Sequence, residues 1–209
     1  MGATVQIGSL QARSDSLIPT FEARDVTLRD SAGHDLLRLP RIVATLSPQS
    51  VAQLSFDQLY IDSPELEISR SAEGEWALAG MPIPSGQGSG WADWFFSQTE
   101  FIIRHGKVHW HDASKAVEAV TFEEVDLVVR NGLRSHLLRL DATPPRTWGE
   151  RFSLQGHFKQ PLLSLHEGRW QDWSGQVYGQ FGQLDAGAIH PYLSLPDGLQ
   201  ISQGTGWLR

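Results

Sequence analysis

Histidine and carboxylate spacing is the first place where this 209-residue chain could carry chemistry. His109 and His111 stand two apart in a segment of strand character, so their side chains share one face, and His105 joins them if Gly106 does not shift the register. Such a pair can begin a metal site, but a further ligand must come from elsewhere, and Asp112 points to the opposite face. The plainer reading is a solvent-facing polar row opposite Val108 and Trp110, and no metal is expected. Glycoside hydrolysis needs two carboxylates about 5 to 10 Å apart across a cleft. Glu123 and Glu124, on opposite faces of an alternating strand, cannot form that pair by themselves. The run Ser85-Gly86-Gln87-Gly88-Ser89-Gly90 has no Lys-Ser/Thr ending and no parallel-strand context, so it is a linker rather than a phosphate loop. There is no Gly-x-Ser-x-Gly elbow. With no cysteine, thiolate nucleophiles, thiolate metal sites and disulfides are excluded. The chain is therefore expected not to be an enzyme and to need no cofactor.

The elements that would position these residues are strands. Phe152, Leu154, Gly156 and Phe158 alternate with Ser153, Gln155 and His157, and Trp173 to Phe181 alternates in the same way. Leu66 and Ile68, Val108 and Trp110, Val125, Leu127 and Val129, and Leu138, Leu140 and Ala142 repeat the period, as do Leu199 and Ile201. About a dozen strands are predicted. Turn signals between them, among them Glu73-Gly74, Asn131-Gly132 and Pro196-Asp197-Gly198, suit sequential antiparallel hairpins. Phe21 and Ala23 are out of phase with Val26 and Leu28, which predicts a bulge near Arg24-Asp25. Helix is confined to two short connectors, over 91–98 and over 185–190 before Pro191. The loop 81–90 divides 1–80 from 91–209 without changing the strand character, so the chain reads as one mainly β unit. Thr20-Phe21-Glu22 with Leu36-Leu37-Arg38-Leu39 is echoed by Thr121-Phe122-Glu123 with Leu137-Leu138-Arg139-Leu140, as repeated hairpins would be.

Composition narrows the partners. A net charge of −7, with 17 basic against 24 acidic residues, lacks the basic surplus of a nucleic-acid binder. No apolar run approaches the roughly 20 residues of a membrane-crossing helix. Of the eight tryptophans, Trp76, Trp110, Trp173 and Trp207 fall on the apolar phase of strands, where they either fill a core or line a surface that meets an apolar ligand. Hairpins with almost no helix to cover them must curl, pair with a second sheet, or leave an apolar face open.

The run Phe56-Asp57-Gln58-Leu59-Tyr60-Ile61-Asp62-Ser63-Pro64-Glu65-Leu66-Glu67-Ile68-Ser69-Arg70, followed by Gly74-Glu75-Trp76, resembles the N-terminal signature of AsmA-like proteins. Asp93-Trp94-Phe95-Phe96, Gly106-Lys107-Val108-His109-Trp110-His111-Asp112, His136 to Pro145, Asp172 to Tyr178 and Pro191 to Pro196 are similar to the YhdP branch, in order along the chain. The resemblance implies a Gram-negative envelope protein of the bridge-like lipid-transfer type, in which a long curled antiparallel sheet forms an open apolar groove. It implies a periplasmic location, an inner-membrane anchor helix absent from these 209 residues, and hence an N-terminal portion of something longer. The expected ligand is phospholipid, conducted by its acyl chains between inner and outer membranes. The expected lipid-binding residues are Leu66, Ile68, Val108, Trp110, Val125, Leu127, Val129, Leu138, Leu140, Phe152, Leu154, Val177 and Phe181. About twelve strands at ~4.8 Å would make a trough of roughly 55 Å. The alternative is a closed β-sandwich or barrel serving as an envelope binding or scaffolding module.

Overall fold

In the computed structural model, residues 4–14, 19–29, 32–33, 35–47, 55–83, 95–161 and 173–192 are described, with the backbone alone for 205–208. The Gly/Ser stretch 84–90, residues 91–94 of the first expected helix, the turn at 196–198 and the strand at Leu199 and Ile201 lie outside them, and the side chain of Trp207 is not described.

Thirteen strands among the described residues form one sheet. They are β1 (Thr4–Arg13), β2 (Thr20–Arg29), β3 (Asp35–Thr45), β4 (Gln58–Asp62), β5 (Glu65–Arg70), β6 (Trp76–Leu78), β7 (Met81–Pro82), β8 (Glu100–Asp112), β9 (Val120–Asn131), β10 (Ser135–Thr143), β11 (Phe152–Lys159), β12 (Ser174–Asp185) and β13 (Thr205–Leu208). From β8 to β13 the order is that of sequential antiparallel hairpins, and β1, β2, β3 and β4 pair in the same way. The expected hairpin succession fails between the two halves. β8 runs parallel to β4 (Leu59 opposite Phe101) and then to β5 (Leu66 opposite Val108). A parallel pair needs a long crossover, and residues 71–99 supply it by way of the β6–β7 hairpin. The echoed segments are indeed two antiparallel hairpins, β2–β3 and β9–β10. The sheet is not a closed barrel, and no second sheet packs on it among the described residues.

Local backbone geometry explains the curl. Asp25, Ser63, His105 and Glu124 all have φ near +50°, a left-handed conformation rare for residues other than glycine. Around each, two successive residues point outward where strict alternation would allow one. Ala23 and Val26, Ile61 and Pro64, Ile103 and Gly106, and Phe122 and Val125 are therefore three apart yet face the same side. The neighbouring strands carry the same slip at Leu39 and Ile42 in β3 and at Ile7 and Leu10 in β1, where Gly8 gives way to the Cβ of Asp25. An additional residue on the outer side lengthens that side, so the sheet bends toward the other. The slips line up across β1, β2, β3, β4–β5 and β8, and that of β9 follows just beyond the Gly106–Val125 pair; together they form a transverse crease, while β10 keeps plain alternation from His136 to Ala142. Near Arg24-Asp25, where a bulge is expected, the alternation does slip and Asp25 is left-handed, but no extra residue is inserted: the register with β1 and β3 continues through it, and the irregularity in β2 lies at Leu28/Arg29.

One expectation is overturned by the crease. Glu123 and Glu124 do not lie on opposite faces, because the bulge at Glu124 turns both outward.

Candidate functional site

Register places all thirteen predicted apolar residues on the inner face of the bend. Val129, Leu138, Gly156 and Val177 form one row across β9 to β12, and Leu127, Leu140, Leu154 and Gly179 form the next. Phe152 stands opposite Phe181 and Val125 opposite Gly106. Leu66 and Ile68 join the face through Val108 and Trp110. The face continues through Ile103 and Phe101, Ile61 and Leu59, Ile42 and Ala44, and Ala23 and Phe21 to Leu10 and Ala12 on the edge strand. Two phenylalanines lie along the sheet over glycines of the neighbouring row, Phe158 over Gly156 and Phe181 over Gly179.

This face is covered unevenly. Val129 is 2% exposed, whereas Val177, in the same row, is 62% exposed, as is much of β1. Two aromatic groups at opposite ends of the strands account for the cover. At one margin Trp148, a residue sequence alternation did not single out, packs against Phe122 (5.7 Å) and Tyr192 (4.6 Å). Its loop is held where the Trp148 carbonyl accepts the Asp185 N–H, and Gly149 passes so close to the Gln183 backbone that no Cβ fits. Asp185 also caps the following helical turn, Ala186–Ile189, accepting from the N–H groups of Gly187 and Ala188. That turn carries Tyr192 back over Trp148, and Lys115 fixes it by donating to the Tyr192 carbonyl at 2.5 Å.

At the other margin a helical turn at 95–97 brings Phe96 to Trp173 (4.7 Å) and His136 (5.8 Å). The rings of Trp173 and His136 stack at 3.8 Å. Gln98, fully buried, anchors the turn: its Oε1 accepts the Phe56 N–H and its carbonyl accepts from the Asn131 amide. Asn131 Oδ1 in turn meets His136 Nδ1 at 2.8 Å. Burial pushes the His136 imidazolium below its ordinary pKa, against a raising hydrogen bond from the Gln160 side chain. Under Phe96 and Trp173 lies a cavity of about 200 Å³ lined almost wholly by apolar atoms, including those of Val129, Leu138 and Phe158. Between the margins, from Phe122 to Val129, the strands span about 23 Å, floored by Leu127, Leu140 and Leu154.

The outer face carries the charges. Glu22 receives both Arg24 and Arg41, and its pKa is lowered, first by Arg41. Asp62 meets His105 at 3.0 Å, and that hydrogen bond raises the His105 pKa. The histidine row exists: His105, Lys107, His109 and His111 all point outward. It is spent on cross-strand pairs, His109 bridging Thr121 (2.9 Å) and Glu65 (2.8 Å). Asp112 is on the inner side, 3.8 Å from Arg70. Among the described residues no group of three potential metal ligands forms.

The creased sheet thus presents a mainly apolar inner face and a charged outer one. The family model described as YhdP protein matches residues 1–209. The chain belongs to the YhdP family. Membership places it among AsmA-like proteins of the cell envelope. Neither curated proteins nor solved structures gave a match. No helix among the described residues is long and apolar enough to cross a membrane.

Proposed function

We propose that this YhdP-family segment is a trough for phospholipid acyl chains, through which lipid passes along the periplasm between inner and outer membranes. The observation that carries the reading is the single apolar face shared by thirteen predicted residues and left without a covering sheet among the described residues. The trough does no covalent chemistry and needs no cofactor; its partners are phospholipid and the inner membrane, with no role for nucleic acid. Each buried methylene is worth about 0.8 kcal/mol, so a chain of ~16 carbons gains on the order of 10 kcal/mol before ordering costs. That attraction has no preferred direction and permits sliding. Among the described residues ten strands stand abreast, with β4 and β5 sharing one lane and β6 and β7 branching aside. At ~4.8 Å per strand the path is about 43 Å, shorter than the length expected from a dozen strands side by side. Phospholipid headgroups remain in water at the margins.

A photo-reactive side chain at position 127, mid-floor, tests the placement. Crosslinks to acyl chains are expected from 127 and are not expected from the outward position 128. Leu127→Asp should abolish acyl occupancy while leaving the fold, because a carboxylate there costs several kcal/mol to desolvate against a chain that cannot hydrogen-bond it. Equal crosslinking from 127 and 128, or none from a folded protein offered lipid, would instead favour a protein-contact role for the face.

A further inference from the structure

The outer face of β8, β9 and β10 holds a basin of about 430 Å³ that the acyl trough does not use. Arg104, Arg130 and Arg139 line it around Val128, and no carboxylate does. The register explains the convergence: Val128 is opposite Arg139 on β10, precedes Arg130 by two residues in the same outward row, and lies diagonally across from Arg104 on β8. Each arginine has a carboxylate beside it but keeps donors to spare. Arg130 meets Glu100 through Nε at 2.6 Å, and Arg139 uses Nε and Nη2 on Asp141. Asp126 is already taken by Arg151 (2.9 Å) and by the His105 N–H (3.1 Å), so Arg104 stands off at 3.7 Å. Beside Val128, two exposed apolar side chains border the same basin: Leu137 is 47% exposed and Tyr178 is 64% exposed.

The geometry points to a binding site for an organic phosphate, with the phosphate oxygens held by the three guanidinium groups and the apolar part of the ligand on Leu137 and Tyr178. A tetrahedral anion with several terminal oxygens suits three forks approaching from different strands, whereas a planar carboxylate is satisfied by one. The site faces away from the trough, so it does not depend on the acyl-chain reading.

Titration calorimetry of the 209-residue chain with inorganic phosphate and with phenyl phosphate tests the site directly. Saturable binding is expected, tighter for phenyl phosphate, and R104Q/R130Q/R139Q should weaken it at least about tenfold. Leu137→Glu keeps all three arginines, sits at an exposed position, and should weaken binding comparably by placing a carboxylate at the basin wall. Circular dichroism verifies the fold of each variant. Co-sedimentation with phosphatidylglycerol and with phosphatidylcholine vesicles separates the sources: arginine-dependent binding to free phosphates marks a soluble ligand, and arginine-dependent binding to phosphatidylglycerol vesicles alone marks a lipid headgroup. Variants that bind as the unaltered chain does, or an unaltered chain that binds neither phosphates nor vesicles, would overturn the assignment.

Discussion

Glu124 offers a quantitative test of the crease. Its φ of 48° sits in the left-handed region, which costs a residue with a Cβ roughly 1–2 kcal/mol. Its side chain is exposed, and the backbone carbonyl that accepts Arg151 Nη1 at 2.6 Å survives any substitution. Glu124→Gly removes the steric cost but adds about 0.5–1 kcal/mol of backbone entropy lost on folding, leaving a net stabilisation of roughly 0.5–1 kcal/mol. Glu124→Val places a β-branched side chain in the conformation it tolerates least and should destabilise, for a Gly-to-Val gap of about 2 kcal/mol. Urea unfolding monitored by tryptophan fluorescence measures both, with an unchanged m-value as evidence that the same transition is compared. In an ordinary extended strand the order reverses, since valine favours a strand and glycine weakens it. A Val variant as stable as the Gly variant, or more stable, would refute the bulge and with it the physical account of why the sheet bends.

Other outcomes follow from particular contacts. Gly156→Ala pushes a methyl into the Phe158 ring and should cost about 1–3 kcal/mol; in a double-mutant cycle Phe158→Ala should relieve most of that loss, and additive effects would mean the ring does not lie over Gly156. The lowered pKa of His136 makes a signed prediction. The unfolded chain binds its proton first, so the stability this residue contributes is present above its unfolded pKa of about 6.5 and is lost as pH falls toward the folded value. His105 is raised by Asp62 and has the opposite sign, its contribution being present at low pH and lost as pH rises through the folded value. Unfolding midpoints at pH 7.5 and 5.5 should therefore differ less, or reverse, in His136→Gln, and should fall further on acidification in His105→Gln; the same pH dependence in all three proteins would contradict both assignments.

The inner face was legible in the sequence because a period of two survives in β9 to β12, and the register kept every one of the thirteen residues on one side. The crease was legible too, but as a repeated defect rather than a pattern: Ile7/Leu10, Leu39/Ile42, Ile103/Gly106 and Phe122/Val125 are apolar or small pairs three apart. Only the slip at Asp25 is conspicuous, because apolar pairs flank it on both sides. The parallel run of β8 along β4 and β5 leaves no local signature, since it is set by a crossover of about thirty residues and not by turn chemistry. Trp148 lies in a turn outside any strand period, and the arginine basin exists only through the lateral register of three strands. Both depend on which strands are neighbours, which alternation within a strand cannot specify.

The central claim is that the inner face holds acyl chains. Native mass spectrometry of the chain after gentle purification from a Gram-negative host, followed by lipid extraction, tests it most directly. The account predicts discrete adducts of phospholipid mass that are lost in Leu127→Asp. A folded, monomeric chain that carries no lipid and takes up none from phospholipid vesicles would contradict it.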